Sequence, residues 1–291
     1  MISKSIFKWS TLLTFMPKIE QASYATGSLA RLIRAKLGFA VNRKLIRFAG
    51  IQRSGNHALI NWIIAQESSK TCFINGVYPG INPWEKNWGI SYPNFPYWPR
   101  QRDQAGALVS KDLMICSYEN RTLETISNDQ KELAKYIGRS RETYNTLILR
   151  DPYNTFASYL KFNKPITQDF IELWKTYARE FLGITNFMTS PKVVINFNAW
   201  FSDQVYRHEL AKNLGLTFTD RGLSEVSHHG GGSSFDGQRF RGEPKKMNVL
   251  TRFHYYLNNP EFQAIFDSDS ELRHLSEQIF GPPPMPVSRV S

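Results

Sequence analysis

Residues 45–64, LIRFAGIQRSGNHALINWII, constrain the fold more than any other stretch of the chain. An apolar run passes through a loop bounded by Gly50 and Gly55 straight into a segment with helical spacing. Strand, tight glycine loop and helix in that order make the first half of a βαβ unit. The same alternation recurs downstream. The runs 45–51, 71–74, 113–118, 146–149 and 193–197 are too short for helices and rich in Ile, Leu and Val, so they read as strands buried on both faces. Between or after them, 58–66, 154–161, 170–185 and 205–214 read as helices, the last closed by Gly215. This pattern predicts an α/β fold: a single doubly wound domain with a central parallel sheet flanked by helices and a P-loop-like first turn. A chain of 291 residues, 41% hydrophobic, can fill the core of such a domain.

The first 44 residues are set apart by charge. They hold eight basic residues (Lys4, Lys8, Lys18, Arg31, Arg34, Lys36, Arg43, Lys44) against Glu20 alone, which is +7 of the chain's +11. They are read as a basic N-terminal arm, 1–44, ahead of the α/β domain, 45–291. Within the arm, 28–40 places Leu29, Leu32, Ile33 and Leu37 opposite Arg31, Arg34 and Lys36. That is an amphipathic basic helix, expected to pack on the domain, with weak contact to a membrane surface as the alternative. No apolar stretch is long enough to span a bilayer. Lys8 interrupts the first apolar run and no small-residue cleavage site follows, so the start does not read as a secretory signal. Cys72 and Cys116 lie in apolar runs rather than a CxxC pair, which points to reduced thiols and a cytoplasmic setting. The net charge favours an anionic partner, but no nucleic-acid-binding motif accompanies it.

Two segments break the alternation. Residues 76–106 hold Tyr78, Trp84, Trp88, Tyr92, Phe95, Tyr97 and Trp98 among five prolines, which suits either an acceptor-binding wall or an ordered loop with its own small core. Residues 227–246, SHHGGGSSFDGQRFRGEPKK, are too rich in glycine for a helix.

The glycine loop carries the chemistry. Gly50 and Gly55 have the G-x-x-x-x-G spacing of a phosphate-binding loop, where backbone N–H groups and a helix N-terminus converge on an anion. A nucleoside-triphosphate loop continues with Lys and Ser or Thr, the latter binding Mg²⁺. Here Asn56 and His57 take those places and the cation has moved into the loop as Arg53, so the expected site is anion-binding and metal-free. A second site follows at 146–160, TLILRDPYNTFASYL. Arg150 and Asp151 stand at a strand's carboxyl edge, Pro152 opens a helix and Ser158 lies two turns in. Ligands of open α/β sheets bind at that edge.

The run Arg53-Ser54-Gly55-Asn56-His57 resembles the 5′-phosphosulfate loop of sulfotransferases that use 3′-phosphoadenosine-5′-phosphosulfate (PAPS), with Asn56 and His57 replacing two threonines. Arg150, Asp151, Pro152 and Ser158 match all four positions of that family's 3′-phosphate motif. Ser233-Ser234-Phe235 is similar to the family's Thr/Ser-x-Phe segment, whose ring contacts adenine. Arg239 and Arg241 follow, ahead of Gly242, where the small-molecule branch carries an Arg-Lys-Gly element somewhat farther on. The resemblance spans roughly 45–255. It implies that Arg53, Ser54, Gly55, Asn56, His57, Arg150, Ser158, Ser233, Phe235, Arg239 and Arg241 hold PAPS and its product PAP, without metal. The implied activity is sulfuryl transfer to a hydroxyl or amine of a small-molecule or glycan acceptor.

Such a transfer needs a cation at the leaving oxygen, for which Arg53 is suited, and a base for the acceptor proton. Glu119, at the end of the strand LMICSY, is the first candidate by family analogy. His57 is the second, and His228 and His229 follow. The competing readings are a P-loop phosphotransferase and a basic nucleic-acid-binding protein.

Overall fold

The computed structural model describes residues 39–67, 69–95, 97, 99–189, 191–223, 235–237, 239–240, 243, 246–282 and 284, together with 29, 33 and 37. Among them one six-stranded sheet forms the centre: β1 (Ala40–Gly50), β2 (Thr71–Asn75), β3 (Gly89–Ser91), β4 (Lys111–Glu119), β5 (Arg139–Leu149) and β6 (Lys192–Asn196), in the order β3-β2-β4-β1-β5-β6. All neighbours are parallel except β2 and β3. The chain leaves β1 towards β2 and β4 on one flank and later crosses to β5 and β6 on the other. The crevice beyond the carboxyl end of β1 is therefore the topological switch point, where open α/β sheets bind ligands.

The four expected helices are present as α1 (Asn56–Gln66), α5 (Pro152–Lys161), α6 (Gln168–Phe181) and α8 (Gln204–Asn213), joined by α2 (Arg100–Gln104), α3 (Leu123–Asn128), α4 (Gln130–Ile137), α7 (Phe197–Ser202), α9 (Pro260–Ser268) and α10 (Ser270–Phe280), which the pattern did not mark. Most of their starts are capped by short polar side chains. Asp151 accepts from the Asn154 N–H with Pro152 in the first turn, and Thr167 caps α6. Ile46, Phe48 and Ile115 face one layer of the core with Trp62 and Trp200; Ala49, Cys116 and Leu147 face the other with Trp174 and Phe266.

Three boundaries differ from expectation. β1 starts at Ala40, so 40–44 belong to the sheet and not to the arm. Lys44 is buried there, donating to the Leu214 and Gly215 carbonyls. β5 starts at Arg139, seven residues ahead of its apolar run, because its polar first half is held by backbone pairing to β1 rather than by side-chain burial. The 76–106 segment is no open loop: β3 adds an antiparallel edge, Trp84 is buried with its Nε1 donating to Tyr136 O, and Tyr92 bonds the buried Asp103–Lys111 pair. Trp98 lies outside the described residues. In the expected amphipathic helix the described Leu29, Ile33 and Leu37 are exposed, so at these positions the apolar stripe does not pack on the domain. No helix of the described residues is long and apolar enough to cross a membrane.

Candidate functional site

Register brings the sequence motifs to one level. Gly50 pairs with Glu119 of β4 on one side and with Ile148 of β5 on the other. The loop 51–55, Glu119 and Arg150 therefore emerge together at the carboxyl edge. Backbone geometry explains the loop's residues. Gly55 has φ +88°, and a Cβ there would sit 2.1 Å from the Phe197 ring. Only glycine satisfies both conditions. Arg53 itself is left-handed at φ 69°, a conformation that a non-glycine residue holds only where its surroundings enforce it. One such restraint is Arg150, whose Nη1 donates to Arg53 O at 3.0 Å. Another is Asn56, whose Nδ2 donates to Ile51 O at 3.1 Å and closes the loop from beneath. No side chain caps α1 at Gly55. Its first turn opens just beyond the carboxyl end of β1.

Arg150 is buried at the end of β5, where Trp174 Nε1 donates to its carbonyl at 3.0 Å. Its Nη1 also reaches Ser158 Oγ at 3.4 Å, and Nη2 donates to Val249 O. A third cation completes this corner. Arg252, on a 3₁₀ turn at Arg252–Tyr256, donates through Nη1 to the same Ser158 Oγ at 3.2 Å and faces Asp236 at 3.6 Å. Asn154 fixes that turn: its Oδ1 accepts from the Arg252 N–H at 2.7 Å, and its Nδ2 donates to Leu250 O at 2.9 Å. Sequence reasoning missed both residues. Arg252 lies 94 positions from Ser158, and only its place beside Phe253 on an apolar turn hinted at burial.

Three arginines share this corner with Asp151, Asp236 and Glu119. Burial, then the nearby Arg252 guanidinium, pushes the Arg150 pKa down to about 9, with Asp151 opposing. Burial likewise lowers Arg252 to about 10, opposed by Asp236. Arg53 is lowered by burial and supported by Glu119. Among the described residues, Arg150 Nε, Ser54 Oγ and Asn56 Oδ1 are buried with no hydrogen-bond partner. Charge held at this cost, beside unspent polar atoms, fits a polyanion.

Phe235 stands beside this corner. The Arg252 guanidinium is 5.1 Å from its centroid, and the Tyr255 ring, itself exposed, is 5.0 Å away. Arg239 is exposed and stacks on Phe240 at 5.4 Å; it is Arg252, not Arg239, that meets Ser158. Ser233, Arg241, His228 and His229 lie outside the described residues.

On the β4 side the two rival bases are neighbours. His57 Nδ1 is 4.0 Å from Glu119 Oε1, with both side chains mostly buried. The tautomer follows from the surrounding bonds. Gly76 N–H donates to Ser117 Oγ, whose hydroxyl in turn donates to Asn75 Oδ1 at 3.0 Å. An amide oxygen only accepts, so His57 Nε2, 3.2 Å from that atom, carries the proton there. Nδ1 is left facing the carboxylate. Histidine and glutamate are thus neighbours at the crevice.

No family model matches the chain, and no curated protein matches it. Among solved structures, a mouse sulfotransferase, SULT7A1, complexed with PAP is similar over 87% of this chain and 94% of that one, with 12% sequence identity and a TM-score of 0.42.

Proposed function

We propose that this crevice binds PAPS and transfers its sulfuryl group to a hydroxyl or amine of a small-molecule or glycan acceptor. One observation carries the reading: Arg150 and Arg252 both reach Ser158 Oγ, beside a glycine loop that holds Arg53, and burial lowers the pKa of all three. In this reading Arg150, Ser158 and Arg252 hold the 3′-phosphate. The N–H groups of 55–57 and Arg53 hold the 5′-phosphosulfate, and adenine packs against the Phe235–Tyr255 pair. PAPS, when bound, supplies an activated sulfuryl group.

The acceptor oxygen or nitrogen forms a bond to sulfur as the bond from sulfur to the bridging phosphate oxygen breaks. Arg53 stabilises the negative charge growing on that oxygen, and its guanidinium needs no proton exchange to do so. Glu119 takes the acceptor proton, with His57 Nδ1 as the rival acceptor. The buried free thiols Cys72 and Cys116 fit a reducing, cytoplasmic setting.

The test is calorimetric titration of the full chain with PAP, ATP plus Mg²⁺, and ADP, each in parallel with EDTA. The proposal expects PAP to bind tightest and EDTA to leave its affinity unchanged. Preference for ATP, or Mg²⁺ dependence of PAP binding, contradicts it.

A further inference from the structure

A second group of cations stands on the other flank of β1, and the nucleotide reading does not use it. Val77 N–H donates to Ser117 O at 2.8 Å, drawing 76–78 across the carboxyl end of β4. Tyr78 follows, and its ring receives two cations: the Arg121 guanidinium at 4.4 Å and Lys86 Nζ at 4.5 Å from the centroid. Trp88 Nε1 donates to the Tyr78 hydroxyl at 3.0 Å.

These residues are tied to His57 and Glu119. Trp88 N–H donates to the carbonyl of Asn75, whose side chain meets His57, and Arg121 is two residues beyond Glu119. The Trp88 ring rests on Gly76, where a Cβ would be 2.2 Å from it, yet Trp88 remains 44% exposed. A flat aromatic face is thus held open beside the proton acceptor.

The electrostatics of this patch are unbalanced. Among the described residues neither Arg121 nor Lys86 forms an ion pair, and Arg121 Nε is buried without a hydrogen-bond partner. The Tyr78 phenol is shifted towards ionisation first by the Trp88 N–H, against slight desolvation, and then by Arg121 and Lys86. The phosphate-facing arginines reach the crevice from β1, β5 and the 3₁₀ turn, whereas Arg121 and Lys86 arrive from β4 and the β2–β3 connection. Two cation sets on opposite sides of the reacting centre address two different anionic groups.

We infer that the acceptor is itself anionic: its ring lies on the exposed Trp88 face, and a carboxylate or sulfate substituent is read by Arg121 and Lys86. This rests on the sulfotransferase reading for the word acceptor, but the anion subsite stands on its own geometry. Cation–π stacking on Tyr78 holds both side chains in place beforehand, which lowers the ordering cost of binding.

The experiment uses 4-hydroxyphenylacetate, tyrosol and tyramine, which share a phenol ring and carry a negative, neutral and positive side chain. Dissociation constants are measured by ligand-observed NMR on the full chain saturated with PAP, for the wild type, Lys86→Gln, Arg121→Gln and the double variant. The expected order is 4-hydroxyphenylacetate tightest, by about tenfold over tyrosol, and tyramine weakest. Each single variant reduces that preference about threefold, the double variant abolishes it, and tyrosol is unaffected. Lys86 is exposed, so its variant folds even if Arg121→Gln does not. Equal affinities, no binding of any of the three, or an unchanged preference in Lys86→Gln overturns the inference. If PAP itself fails to bind, the sulfotransferase reading falls; the trio is then run without nucleotide, and the charge preference still decides the subsite.

Discussion

Replacing Arg252 by glutamine isolates the 3′-phosphate corner. The substitution keeps a hydrogen-bond donor near Ser158 and removes one of two guanidinium groups that meet on the same hydroxyl, at 3.4 Å from Arg150 and 3.2 Å from Arg252. A charge-assisted hydrogen bond contributes about 1.5 to 3 kcal/mol, which converts to a loss of roughly 10- to 150-fold in PAP affinity. AMP lacks the 3′-phosphate and should lose less than about threefold. The free protein responds differently. Arg252 is among the causes that lower the Arg150 pKa, so its removal relieves repulsion and the melting temperature of the ligand-free protein should stay level or rise. Paired calorimetric titrations of PAP and AMP, with a thermal melt of each free protein, read all three quantities. Equal losses for PAP and AMP would place Arg252 outside the 3′-phosphate site. A PAP affinity equal to wild type would refute the whole assignment of that corner.

Asn154→Ala removes the bonds that hold Leu250 and Arg252 to α5, and should weaken PAP about tenfold while lowering stability by about 1 to 3 kcal/mol; denaturant unfolding and PAP titration measure both. Glu119→Gln should reduce single-turnover sulfuryl transfer by about 10²- to 10⁴-fold with PAP affinity kept, whereas His57→Ala, at the start of α1, should weaken nucleotide binding too. A wild-type rate in Glu119→Gln moves the base to His57. Glu180, away from the crevice, tests the fold. Its burial alone would raise its pKa, but N–H donation from Phe187 and Met188, together with Lys192 and Thr185, lowers it. A carboxylate with a depressed folded-state pKa stabilises above its unfolded value and loses that contribution as pH falls through the folded value. Glu180→Gln should therefore destabilise at pH 7, and the gap to wild type should close in acid; a pH-independent gap in urea melts would count against this role.

What was legible in the sequence was contiguous. Arg53 to His57 and Arg150 to Ser158 each lie on one strand–turn–helix, so spacing alone placed them at a strand's carboxyl edge. Arg252 was not, because a 3₁₀ turn has no periodicity to mark it and its partner Ser158 lies on another element. The polar half of β5 was hidden for a related reason: residues 139–145 belong to the sheet through backbone bonds that leave no hydrophobic trace. Glu119 and His57 were weighed as rivals, since the parallel register that sets Gly50 against Glu119 is a tertiary fact. The aromatic segment 76–106 announced itself by composition, but its division into a buried core around Trp84 and an open face at Trp88 depends on β3, a three-residue strand too short to read.

A crystal structure of the full chain with PAP tests the central claim most directly. The account predicts the 3′-phosphate within about 3.2 Å of Arg150, Ser158 and Arg252, and the 5′-phosphate at the N–H groups that open α1, with Arg53 alongside. Adenine should lie against the Phe235–Tyr255 pair. A nucleotide bound with its 3′-phosphate in solvent, or seated away from the 51–57 loop, would contradict the account.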